Sequence, residues 1–199
     1  RKCVWAQIGQ AQLACSLEHL TSLAKQTETA LAGGTISDLE KGYTTLGWTV
    51  DNAALESLAL VNNITNAEAV STVLRAIYLP WLEASAKHLQ DIFDPTTYPR
   101  GNCETAPIYP ALDSECVLFV DGLRLDLGKR LSARIKFQGL QVTETNSWSA
   151  LPSVTATAKP AVSPVVSKIK GADSNVDFEP SVADSGKSLK GGYRLKQLL

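Results

Sequence analysis

The stretch Cys116 to Leu131, "CVLFVDGLRLDLGKRL", decides how the chain is read. Its first five residues are a continuous apolar run, the pattern of a short strand buried on both faces of a parallel sheet. The run stops on Asp121, and Gly122 then allows a sharp turn. The following segment, "LDLGKRLSARIKFQG", places Leu127, Leu131 and Ile135 on one face of a helix, with Gly139 as its C-terminal cap. "LQVTET", from Leu140, reads as a second strand. Strand, helix and strand make one βαβ unit with a right-handed crossover. The fold class expected is therefore α/β with a mainly parallel sheet.

Working back from Cys116, the segment 94–115 carries four prolines, breaks every periodicity and reads as a linker. Residues 1–93 read as a helical region. In "QAQLACSLEHLTSLAKQTETAL", Leu13, Leu17, Leu20, Leu23 and Ala24 form an amphipathic stripe that Gly33 and Gly34 terminate. Asp51 or Asn52 is placed to cap a helix carrying Leu55, Leu58 and Ala59. A longer helical pattern starts at Asn66, and Pro80 is expected to kink it or to begin a new helix. His19 and His88 fall in these helices as surface or packing residues. Working forward, residues 116–199 form the α/β part. Within it, 167–192 is a Ser-, Gly-, Asp- and Lys-rich loop or insertion, and "YRLKQLL" starts a final helix.

Bulk properties narrow the class. In 199 residues, 44% hydrophobic and 20% charged, the chain has the composition of a globular protein rather than a disordered one. No apolar run approaches the roughly 20 residues of a membrane-spanning helix, so no membrane partner is expected and the location expected is cytoplasmic. The four cysteines form no CxxC or Cys/His cluster and read as reduced thiols. The chain starts on Arg1 and has no methionine, which suggests a domain of something larger or the loss of modified residues. Residues 1–115 carry a net charge of −6 and residues 116–199 carry +5, which biases the second part toward phosphates or nucleic acid.

In open α/β sheets, ligands bind beyond the carboxyl ends of the strands, where Asp121 stands as an oxygen donor for a divalent cation. Its ordinary alternative is to cap the helix that follows. After the second strand, "WSALPSVTATAKPAVSPV" makes a turn at Pro152 and Ser153 and leads threonines into a new helix. A hydroxyl at a helix N-terminus has backbone amides and the positive dipole end beside it. It becomes a nucleophile when a base or metal ion activates it. The ordinary reading of Ser153, Thr155 and Thr157 is as turn and capping hydroxyls.

Together, "VLFVDGLRLDLGKRL" and "WSALPSVTATAKPAVSPV" closely resemble the PglZ family of bacterial phage-exclusion systems (BREX, phage growth limitation), which belongs to the alkaline phosphatase superfamily. The resemblance runs from about Gly47 to Val166 and takes in "GWTVDNAALESLALV" and "LRAIYLPWLEASAKHLQ". It implies that residues 116–199 are the N-terminal part of an alkaline phosphatase-like domain. Asp121 matches a metal ligand, and Thr155, in a P-x-x-T context with Pro152, matches the nucleophile and second metal-binding oxygen. Thr157 is the fallback nucleophile, and Arg124 and Lys159 match basic positions that would contact phosphate or serve as surface charges. The cofactors implied are two divalent metal ions, zinc first, with manganese or magnesium as alternatives. No histidine follows His88, and Asp173, Asp177, Glu179 and Asp184 lack the family's Asp-His pairing, so the segment is expected to supply half of an active site. The activity implied is metal-dependent phosphoesterase chemistry in phage defence, on a phosphate ester or nucleic acid. The alternative is a non-catalytic scaffold or interaction module of the defence complex. Partners implied in either case are other BREX proteins, such as the methyltransferase.

Overall fold

The computed structural model describes residues 4–94, 118, 120, 122–151, 153–171 and 179–199. The chain divides into two compact units, one of residues 1–93 with 125–138 and the other of 94–124 with 139–199.

Among the described residues, the regular structure of the first unit is helical. Its helices are α1 (Val4–Gln7), α2 (Gln12–Gln26), α3 (Ile36–Gly42), α4 (Trp48–Ala59), α5 (Ile64–Ile92) and α6 (Leu125–Phe137). Helix α2 packs on α4 and α5, and α6 packs on α4. The core collects Leu20 and Leu23 of α2, Leu31, Leu39, Val50, Ala53, Ala54, Val70 and Trp81. Half of the expected α2 stripe goes inward. Leu13 and Leu17 are instead 44% and 60% exposed, and fully buried Ser16 takes the inward position between them. Its hydroxyl donates to the Ser57 carbonyl at 2.8 Å, a contact that small residues on both helices permit. The helix ends at Gln26 rather than at the glycine pair, and Gly34 supplies a left-handed turn at φ 83° just before α3.

A capping box starts α3. Thr35 accepts from the Asp38 amide, and the Thr35 amide donates to Asp38 Oδ2 at 2.9 Å. The bond from the Thr35 amide, and then that from the Thr35 hydroxyl, which donates to the same Oδ2 at 2.7 Å, hold the Asp38 carboxyl below its ordinary pKa, with Lys41 adding attraction. The helix does not stop at its end. A π-helical turn, Tyr43–Gly47, carries it straight into α4. Asp51 therefore lies inside the first turn of α4 and is buried, rather than capping it. Leu31 fits against two glycines here. A Cβ on Gly42 would lie 2.7 Å from Leu31 Cδ2, and one on Gly47 would lie 2.8 Å from Leu31 Cδ1.

Asn63 caps α5 by accepting from the Asn66 amide at 2.9 Å. The helix then runs 29 residues with Pro80 inside it, so the proline neither ends it nor starts another. Next to Pro80, Trp81 is buried, and its indole N–H donates to the Thr29 carbonyl at 3.0 Å. The Tyr78 ring stacks on Trp81 with centroids 6.3 Å apart. The Trp81 bond ties the helix to the Thr29 backbone immediately beside the missing donor.

The expected α/β class with a mainly parallel sheet is not what the chain forms. Helix accounts for 62% of the described residues and strand for 3%, and the strands form one antiparallel pair. Leu118 and Val120 of the expected first strand are not in a strand, and the rest of "CVLFV" lies outside the described residues. "LQVTET" is irregular, and Val142 is its only residue that is even partly buried, so a strand there would have no core to cover. The helix between them is present as α6, and Gly139 follows it at φ 79° as expected. It packs on α4 with its faces reversed, however. Asp126 and Ser132 are buried, whereas Leu127 and Leu131 are 37% and 46% exposed and Ile135 is partly buried. At its edge, Arg130 pairs with Glu56 of α4 at 3.1 Å.

The second unit contains α7 (Thr155–Ala161), a 3₁₀ turn at Val166–Lys168, strands β1 (Ile169–Lys170) and β2 (Ser181–Val182), and α8 (Tyr193–Leu198). The strands pair with Ile169 opposite Val182, inside the segment expected to be loop or insertion. Ala150, Ala161, Val166, Ile169, Leu189 and Leu195 form a small core, flanked by Val165, Val182 and Leu198. No described helix is long and apolar enough to cross a membrane.

Candidate functional site

Helix α7 is the element that positions the expected nucleophile. Val154 is extended at its N-cap position (φ −107°, ψ 160°) and no side chain closes the cap. The Val154 carbonyl instead accepts from the Thr157 amide at 3.0 Å, the Ala158 amide at 2.8 Å and the Thr157 hydroxyl at 3.1 Å. Thr157 is buried, and Pro160 and Ala161 anchor the same side of the helix in the core. Thr155 starts the helix and is exposed. Residues four apart share a helix face, so Thr155 and half-buried Lys159 lie together, opposite the buried side that holds Thr157.

The two threonines are thus physically different. The Thr157 hydroxyl is enclosed and already donates its proton to a carbonyl. The Thr155 hydroxyl stands in solvent on the first turn, where amides not yet committed to the helix favour negative charge. Arg124 is exposed, one residue before α6. Asp121 and Pro152 lie outside the described residues. Of the five site residues read from sequence, helix geometry itself brings Thr155 and Lys159 together.

Chemistry of the donor set is the test for a metal centre. Among the described residues, no three His, Cys, Asp or Glu side chains are grouped for a metal ion. A stable site takes three or four protein ligands, and the described part of the expected site offers the Thr155 hydroxyl alone. These residues do not by themselves fit a two-metal centre.

A second polar cluster, not expected from sequence, sits in the helical unit. Asp51 is 5% exposed, and each of its oxygens accepts from a tyrosine hydroxyl, Oδ2 from Tyr43 at 2.6 Å and Oδ1 from Tyr78 at 2.7 Å. The cluster joins the π-helical turn, α4 and α5. No local sequence signal marked it, since the residue that engages Asp51 Oδ1 is Tyr78, 27 positions away. Asp51 stands four residues after Gly47 and three before Ala54, both buried, so it lies on the inward face of α4. With both carboxylate oxygens engaged by phenols, this cluster holds helices together. Comparison with known proteins identifies no relative: no family model, no curated protein and no solved structure matches the chain.

Proposed function

We propose that this chain is part of a metal-dependent phosphoesterase of the PglZ type that acts in bacterial phage defence, with Thr155 as its nucleophile. What supports the reading is the paired motif around Asp121 and Thr155, together with one structural observation. Thr155 is exposed on the first turn of α7, one helical turn before Lys159. The parallel sheet of the alkaline phosphatase superfamily is not among the described residues, so the motif and the placement of Thr155 carry the reading without it.

In this reading Thr155 Oγ1 gives up its proton to solvent water and attacks the phosphorus of a phosphodiester in line with the ester bond that breaks. The leaving oxygen departs with the bonding electron pair and takes up a proton. Water then cleaves the phosphothreonine, releasing a phosphomonoester and restoring the hydroxyl. Lys159 and Arg124 would balance charge on the phosphoryl oxygens. Asp121 would ligate one of two divalent ions, zinc first among the candidates. The remaining ligands would come from outside the described residues.

Turnover of a chromogenic phosphodiester tests the proposal. Thr155→Ala abolishes it if Thr155 is the nucleophile, and undiminished turnover removes Thr155 from the chemistry.

The scaffold reading has its own support in the helical unit. The buried Asp51 carboxylate there accepts from two tyrosines and links the π-helical turn, α4 and α5, a structural use of a charge. Stable co-purification with the methyltransferase of the defence system, in a protein that turns over no phosphodiester, would favour that role. Failure to co-purify would oppose it.

A further inference from the structure

No further inference is drawn: the strongest candidate, the outward Leu127–Leu131 face of α6, is an exposed apolar helix face and nothing in the structure shows what covers it.

Discussion

The hydroxyl of Tyr78 donates to Asp51 Oδ1 at 2.7 Å and so joins α5 to α4 across 27 positions of chain. The other oxygen of the same carboxylate holds Tyr43 in the π-helical turn. Replacing Asp51 by alanine removes the carboxylate that two half-buried phenols donate to, and a hydrogen bond to a carboxylate contributes about 1.5–3 kcal/mol. Asp51→Ala is expected to lower the unfolding free energy by about 3 kcal/mol in urea titration. Tyr78→Phe removes one bond only and should cost roughly half as much. Equal midpoints for the parent and Asp51→Ala would show that the cluster does not hold the helices.

Thr155 and Thr157 separate chemistry from packing. Thr155 is exposed, so Thr155→Ala should alter stability by no more than about 0.5 kcal/mol. Under the proposed mechanism it lowers phosphodiester turnover by more than about 10³-fold. Thr157→Val replaces a buried hydroxyl that donates to the Val154 carbonyl. It should cost about 1 kcal/mol of stability and leave turnover within a factor of two or so, since an enclosed hydroxyl is not the attacking group. Paired thermal melts and assays on the two variants make the comparison. The opposite pattern would assign the chemistry to Thr157.

The capping box of α3 predicts a response to acid. The Asp38 carboxyl is held below its ordinary pKa by the Thr35 backbone amide and hydroxyl, with Lys41 contributing. A depressed folded-state pKa means that the stabilisation is present at neutral pH. It is lost as the pH falls from the unfolded-state pKa through the lower folded-state value. Asp38→Asn should therefore flatten the acid side of the stability profile and leave the neutral-to-alkaline side parallel to the parent. Denaturant titrations at stepped pH read this directly, and an unaltered acid slope would contradict it.

Two glycines in helical segments should respond to alanine with opposite signs. At Gly47 a Cβ would lie 2.7 Å from Tyr43 Cδ2 and 2.8 Å from Leu31 Cδ1, in a packed corner, so Gly47→Ala should cost about 1–3 kcal/mol. At Gly128, inside α6, an added Cβ meets nothing within 4 Å. Gly128→Ala should gain about 0.8–1 kcal/mol from helix propensity alone. Thermal melts that move both variants in the same direction would overturn the packing argument.

The helices were legible in the sequence because their apolar spacing is regular and their boundaries carry chemical signals. Gly139 beyond α6 and the late helix at Tyr193 follow from such local rules, whereas the Asn63 cap lies three residues before the expected start at Asn66. Periodicity says which residues share a face, not which face a neighbour covers. In α6 the leucine stripe was expected inward, yet Asp126 and Ser132 on the other side are the residues that are buried. "LQVTET" has strand-like composition, but strand formation requires partners that supply ladder hydrogen bonds, and composition does not specify them. Asp51 was read as a cap because aspartate is common there. Its burial depends on Tyr78, which no local window contains. At the candidate site, the helix that begins at Thr155 could be read from the threonine-rich turn. The split between an exposed Thr155 and an enclosed Thr157 follows from the Val154 carbonyl, whose three bonds depend on backbone geometry.

The placement of α6 sets an order of events in folding. Arg130 meets Glu56 at 3.1 Å across 74 positions of chain. During synthesis, α2, α4 and α5 can assemble through their own contacts before α6 leaves the ribosome. The exposed flank of α4 then waits for a strand of chain that must close a long loop. That entropic toll grows only as the logarithm of loop length, but contacts between distant positions slow the search. Pulse-labelled hydrogen exchange should therefore find the amides of α6 protected later than those of α2 and α4.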